Sequence, residues 1–490
     1  MSIGVKRCIA FVLACGVAQF ALGQKTPAVS DETKQHIQNV EAGLLPSVVV
    51  KGDPHPGHSL SERMAALHVN GVSIAVIHNG MIEWAQGFGV MSVGGPPVTA
   101  ESLFQAGSIS KPIAAMAALH QVQEGKLSLD SDINTELTSW KLPDASVAGG
   151  KPVTLRELLT HTGGTTVHGF PGYAADAPVP TLVQVLNGEK PANTPAIRIE
   201  AAPGSKWNYS GGGYTIMQQV LIDVTGEPFP KLLHDTVLAP IGMIHSTYQQ
   251  PLPEKMRASA ATPYEADGKP VPGGAHTYPE MAAAGLWTTP TDLSLYLIEV
   301  QRSLKGDANH VLSQQMTKQM LTPGMGKYGL GLAIGGSAAN PYFGHGGVNE
   351  GFESTMSAYE QDGEGAVVMT NAQGGSRLAD EVMRSIAAVY HWPDFQPKVH
   401  ATVTVDPKIL ATYVGTYGLG PNFDLMVTVQ DGHLVTQATG QSSFSMLAES
   451  ETKFFPTAFD AEIDFVKDAQ GNVASMILRQ NGHETKALKK

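Results

Sequence analysis

Ser108-Ile109-Ser110-Lys111, directly after Gly107, opens the first strong helical pattern of the chain. Residues 108–124 carry Ile113, Met116, Ala117, His120 and Val122 on one mostly apolar side and stop at Gly125. A serine at a helix mouth and a lysine three residues on share a face, their Cβ atoms about 5–6 Å apart. The amine can then take the hydroxyl proton. A free lysine has a pKa near ~10.4, so about one amine in 2,500 is neutral at pH 7. Burial and the positive end of the helix both push that value down. The Ser108 backbone N–H at the same helix start is suited to form one half of an oxyanion hole. Two bland readings stand beside this one. Ser108 fits an ordinary N-cap next to a surface lysine, and the same spacing recurs at Ser450-Glu451-Thr452-Lys453, which has no helix start and reads as a solvated strand edge.

Two further segments bear on the choice. Trp207-Asn208-Tyr209-Ser210-Gly211-Gly212-Gly213-Tyr214 puts a tyrosine on a glycine-rich loop, and Phe343-Gly344-His345-Gly346-Gly347-Val348 puts a histidine beside a glycine pair just before a strand. Ser-x-x-Lys, then a Tyr-x-Asn-like segment, then Lys- or His-x-Gly, in this order, resembles the serine β-lactamase and DD-peptidase superfamily, above all its class C-like branch with esterases and D-aminopeptidases. The resemblance spans about residues 45–392 and includes Gly125-Lys126-Leu127-Ser128-Leu129-Asp130 and Leu158-Leu159-Thr160-His161-Thr162-Gly163-Gly164.

That resemblance implies an α+β, β-lactamase/transpeptidase-like fold, an antiparallel sheet flanked by helices with a helical lobe. It implies an acyl-enzyme on Ser108 with Lys111 as base and Tyr209 assisting proton transfer. His345, with Gly346 and Gly347, would face substrate, and the Val348 N–H would complete the oxyanion hole with that of Ser108. The sequence departs from the pattern twice. Gly211 stands where the family has asparagine, so no side chain there can orient Lys111 or grip a substrate amide. His345 replaces the lysine of true β-lactamases and is only partly cationic near neutral pH. Esters or small amide or D-amino-acid peptide substrates are therefore expected over β-lactams. A DD-carboxypeptidase, a β-lactamase proper, or a penicillin-binding sensor that acylates without turnover are the alternatives.

No Gly-x-Ser-x-Gly elbow occurs, which sets aside the α/β-hydrolases. No His-Glu-x-x-His occurs either, and the His161–His168 pair lies in a Gly/Thr loop without neighbouring carboxylates, so no metal or other cofactor is expected. Of the 490 residues, 42% are hydrophobic and 16% charged, a globular composition, and a net charge of −12 without a basic stripe argues against nucleic acid as a partner. The expected partner is a small molecule or short peptide.

Lys6 and Arg7, the apolar run Cys8–Leu22 and the Ala21-Leu22-Gly23 cleavage pattern read as a signal peptide over residues 1–23. Export to a periplasmic or extracellular space is expected, without stable membrane insertion. Both cysteines, Cys8 and Cys15, fall in this segment, so a mature chain carries no disulfide or cysteine nucleophile.

The remaining chain divides into a hydrolase domain over 30–392, a linker over 393–407 and a small antiparallel barrel or sandwich over 408–490. Val72–Ile77 and Met81–Ala85 flank His78-Asn79-Gly80, a hairpin signal. Thr289-Pro290 starts a helix, strands are expected after Tyr328 and at 353–359 and 365–370, and a helix over about 378–391 carries Val382, Ile386 and Val389 on one face. From Tyr413 short alternating runs are broken at Asp431-Gly432, Gln470-Gly471 and Asn481-Gly482. Tyr413-Val414-Gly415-Thr416-Tyr417 is expected to open the first strand of this tail, which receives no catalytic residue.

Overall fold

A computed structural model describes residues 30–54, 57–307, 310–480 and 482–490. The expected signal segment 1–23, with both cysteines, and Asn481 of the last expected turn lie outside them.

In chain order the elements that position the site are helix α1 (Asp31–Ala42), strands β1 (Gly71–His78) and β2 (Met81–Gly89), helices α2 (Ser110–Gln123), α3 (Gly211–Thr225) and α4 (Pro290–Lys305), strands β3 (Ala333–Gly336), β4 (Pro341–Asn349), β5 (Phe352–Tyr359) and β6 (Gly365–Thr370), and helix α5 (Gly375–Val389). The six strands form one antiparallel sheet in the order β2-β1-β6-β5-β4-β3. Asn79 and Gly80 join β1 to β2 with φ of 54° and 74°, the two left-handed residues that a tight hairpin needs.

Because strand side chains alternate, the sheet feeds two cores. Val72, Ile74, Val76, Ala366 and Val368 pack with Val40 of α1 and with Leu378, Val382 and Ile386 of α5. Met356, Val367 and Met369 face the other way, into the larger core that holds α2, α3 and α4. In α5 the residues at 378, 382 and 386 lie four apart and form the sheet-facing stripe; Val389 packs at its edge. The α2 helix departs from the expected one-sided pattern. Every residue from Ser110 to Leu119 is buried, because α2 is wrapped by the core rather than laid on it.

The tail is a closed eight-stranded antiparallel barrel of β7 (Gly415–Gly420), β8 (Phe423–Gln430), β9 (His433–Ala438), β10 (Ser443–Ala448), β11 (Lys453–Phe455), β12 (Ala461–Lys467), β13 (Val473–Gln480) and β14 (His483–Lys489), with β14 pairing back on β7. Closure leaves no free edge. Tyr413 does not open the first strand as expected: it ends the helix Pro407–Tyr413 and stacks on Phe465 at 4.2 Å in the barrel core. Between body and barrel, the segment read as a linker carries a short strand, Lys398–His400, paired in parallel with Val48–Val50. Ser450-Glu451-Thr452-Lys453 lies at the turn from β10 to β11, where Ser450 Oγ accepts the Lys453 N–H at 3.1 Å.

Candidate active site

Ser108 lies in a single 3₁₀ turn, Gly107–Ile109, that leads into α2. The turn is fixed by Ser110, whose Oγ donates to the Gly107 carbonyl at 2.6 Å and accepts the Leu286 N–H at 3.0 Å. Lys111, 2% exposed, points back along the helix: Nζ stands 2.9 Å from Ser108 Oγ and donates to the Ala283 carbonyl at 2.8 Å. Once deprotonated, the amine can keep one N–H on that carbonyl and turn its lone pair toward the serine proton.

Strand β4 presses on that turn. A Cβ on Gly347 would stand 1.9 Å from the Ala106 carbonyl oxygen, and one on Gly107, which has φ +52°, would stand 2.5 Å from the Val348 nitrogen. Glycine at both positions lets β4 lie against the Gly107–Ile109 turn, with the Val348 backbone next to Gly107. Gly346 has no such need, since the nearest atom to a Cβ there is 3.8 Å away. Beyond Val348, Asn349 anchors the strand end, donating to Gln105 Oε1 at 2.9 Å and to the Ala284 carbonyl at 3.0 Å. The same short helix, Met281–Ala284, thus holds both Lys111 and β4.

Tyr209 lies over Lys111, whose Nζ is 5.0 Å from the ring centroid. The three glycines after it are not a loop: Ser210 caps α3 by accepting the Gly213 N–H at 3.1 Å, and Gly211 is the first helical residue. Neighbours explain the glycines, for a Cβ on Gly212 would meet the Thr166 carbonyl at 2.3 Å and one on Gly211 would meet the Phe170 ring at 2.8 Å. Phe170 therefore occupies the space next to position 211.

Two histidines hold Tyr209 in place. His161 is buried, accepts the Ser210 N–H on Nδ1 at 3.1 Å and lies 4.2 Å from the Tyr209 ring. Burial first, then the Lys111 charge and, once it is protonated, His345, hold its pKa well below the ordinary value, so the ring is neutral with its proton on Nε2. His168 Nδ1 donates to the Tyr209 carbonyl at 2.5 Å. Sequence reading passed over both as chemistry-bearing groups, although His161 lies in the Leu158–Gly164 stretch that carried the resemblance.

His345 is turned inward. Its Nδ1 donates to the Gly346 carbonyl at 2.5 Å and Nε2 lies 2.8 Å from Tyr328 Oη. Desolvation, then the Lys111 charge, push its pKa down to about 4, so the ring is neutral at pH 7 rather than partly cationic. Tyr328 was not singled out from sequence; no motif marks it, and only the fold brings it to β4.

Residues 58–391 match the family described as Beta-lactamase, and residues 399–488 match a domain of unknown function, DUF3471. PbpX of Bacillus subtilis, named as a penicillin-binding protein, is 26% identical over 372 residues, 72% of this chain and 84% of that protein. Esterase EstB of Burkholderia gladioli is 30% identical over 188 residues, 36% of this chain and 45% of EstB. The octameric penicillin-binding protein homologue of Pyrococcus abyssi shares the fold with a TM-score of 0.59 at 23% identity, covering 87% of this chain and 98% of that one. With two thirds of its length matched, the chain belongs to the Beta-lactamase family of serine hydrolases.

Proposed function

We propose that the chain hydrolyses esters or small amide or D-amino-acid peptide substrates through an acyl-enzyme on Ser108. The observation that carries the reading is the buried amine of Lys111, 2.9 Å from Ser108 Oγ and held by the Ala283 carbonyl. Ser108 Oγ attacks the substrate carbonyl carbon as its proton passes to Lys111. The oxyanion is met by the N–H groups of Ser108 and Val348. The Lys111 ammonium, with Tyr209 beside it, returns the proton to the departing alcohol or amine, and water then releases the acyl group by the reverse use of the same base. Two features support a preference away from β-lactams: the neutral His345 offers no cation to a drug's carboxylate, and position 211 has no side chain for a substrate amide.

Rates with p-nitrophenyl esters, D-alanyl amides and nitrocefin test this. The wild type should turn over an ester or D-alanyl amide, Lys111→Ala should lose roughly 10²–10⁴-fold in kcat, and Ser108→Ala should be inactive. Efficient nitrocefin hydrolysis without ester turnover overturns the preference; activity in Ser108→Ala overturns the mechanism. An acyl label that stays on Ser108 over hours would mark a sensor instead.

We further propose export with loss of residues 1–23. The basic start, the apolar run and the small-residue cleavage pattern support it, and among the described residues no helix is long and apolar enough to cross a membrane. N-terminal sequencing of the native protein from cell fractions should begin near Gln24; an intact Met1 in the cytoplasm refutes it.

A further inference from the structure

We propose that Tyr328, by holding Nε2 of His345, is a specificity-determining residue that withdraws the third-motif histidine from the cleft and restricts the site to substrates without a carboxylate on the leaving group. The inference rests on the hydrolase reading above and deepens it.

The argument is one of donors and acceptors. The Gly346 carbonyl can only accept, so Nδ1 of His345 carries a hydrogen. In the neutral ring Nε2 is then an acceptor, filled by the Tyr328 hydroxyl at 2.8 Å. If the ring takes a proton, Nε2–H donates to Tyr328 Oη, and the phenol turns its own hydrogen to the Gly331 carbonyl, 3.2 Å away. Either state leaves both ring nitrogens of the half-buried His345 bonded to protein groups, Nδ1 to the exposed Gly346 carbonyl and Nε2 to Tyr328, and neither free for substrate. Tyr328 is 4% exposed and packed by His161 at 4.8 Å and Trp207 at 6.3 Å, so it cannot swing aside freely. The groups that face His345 are Lys111 from α2, His161 and Tyr209 from the segments before α3, and Tyr328. Of these Lys111 supplies positive charge, which opposes a second cation on the imidazole.

Removing the hydroxyl while keeping the ring leaves Nε2 without a partner in an aromatic surround. An orphaned nitrogen there is unfavourable, and turning the half-buried ring toward solvent relieves it. Tyr328→Phe should therefore convert His345 into a group that can meet a substrate carboxylate, the more so at acid pH where the freed imidazole gains a proton.

Phenyl acetate and 3-carboxyphenyl acetate, which differ only by a leaving-group carboxylate, are the test pair. In Tyr328→Phe the ratio of KM for the carboxylate ester to KM for the neutral ester should fall at least fivefold at pH 6 and less at pH 8. The fall should vanish in Tyr328→Phe/His345→Asn. A structural disturbance would instead lower kcat for both esters together and leave the ratio alone. An unchanged ratio in a variant that still turns over phenyl acetate overturns the role of Tyr328 by itself. A wild type that cleaves neither ester and no D-alanyl amide brings down the hydrolase reading and this inference with it.

Discussion

Glu280 is fully buried, and among the described residues no other residue donates to either carboxylate oxygen, so burial pushes its pKa up to about 8 against the weaker pull of its own backbone N–H. It directly precedes the Met281–Ala284 helix, whose carbonyls hold Lys111 and Asn349. In the unfolded chain the acid ionises near 4.5. Below that pH both states are protonated and Glu280 makes no difference. As pH rises toward 8 the unfolded chain gives up this proton while the folded chain keeps it, and stability falls. Glu280→Gln removes the effect. The stability of the variant relative to wild type should rise by roughly 2–4 kcal/mol between pH 5 and pH 8, measured by denaturant unfolding at the two values. His161 and His345 titrate with the opposite sign but in both proteins alike, so they cancel. Parallel pH profiles would show that Glu280 is solvated or partnered. At this scale the sequence was legible where chemistry sits on one short motif, as with Ser108 and Lys111. It was silent on Tyr328, 17 residues from His345 along the chain and joined to it only by the fold. The inward turn of His345 was hidden for the same reason.

Elements were readable where caps and turns are local. Asn79-Gly80 marks its hairpin because those two residues alone supply the turn, and Thr289 starts α4 by accepting the Asp292 N–H at 3.1 Å. The start of α3 was not readable, since three consecutive glycines argue against helix; Phe170 leaves no room for a side chain at Gly211 and the Thr166 carbonyl none at Gly212. The start of α5 was missed for a related reason. Its own N-cap residue, Gly374, has no side chain, and the cap comes from β5: Glu353 accepts the Gly374 and Ser376 N–H groups at 2.7 Å each. A negative charge at a helix N-terminus is favourable, and these are two charge-assisted bonds on a buried carboxylate. Glu353→Ala should cost about 1–3 kcal/mol of stability, read as a lower denaturation midpoint, and should fray residues 374–377 in hydrogen exchange first. Unchanged protection at those amides would show that the helix start is held by packing alone.

For the whole molecule, the order of motifs was enough to expect the sheet and its helices, and alternating runs were enough to expect an antiparallel tail. Closure of that tail into a barrel was not readable, because it depends on β14 reaching β7 across the full length of the domain. Nor was the junction legible. Three residues, Lys398–His400, are too short to give a strand pattern, yet they add to Val48–Val50 on the body while the ring of His400 stacks on Phe455 of the barrel at 4.3 Å. His400 is buried and its Nδ1 lies 3.1 Å from Glu449, so one side chain ties the junction strand to two barrel residues. Among the described residues, the hydrogen bonds and ring contacts of Ser108, Lys111, Tyr209 and His345 are made with residues of the body. Attachment of the barrel and turnover should therefore separate. His400→Ala should speed proteolytic cleavage within 393–406 several-fold while kcat on the preferred ester changes less than about threefold, below the roughly 10²-fold loss that removal of a catalytic group gives. A drop in kcat that tracks the loosening would mean that the barrel helps to shape the cleft.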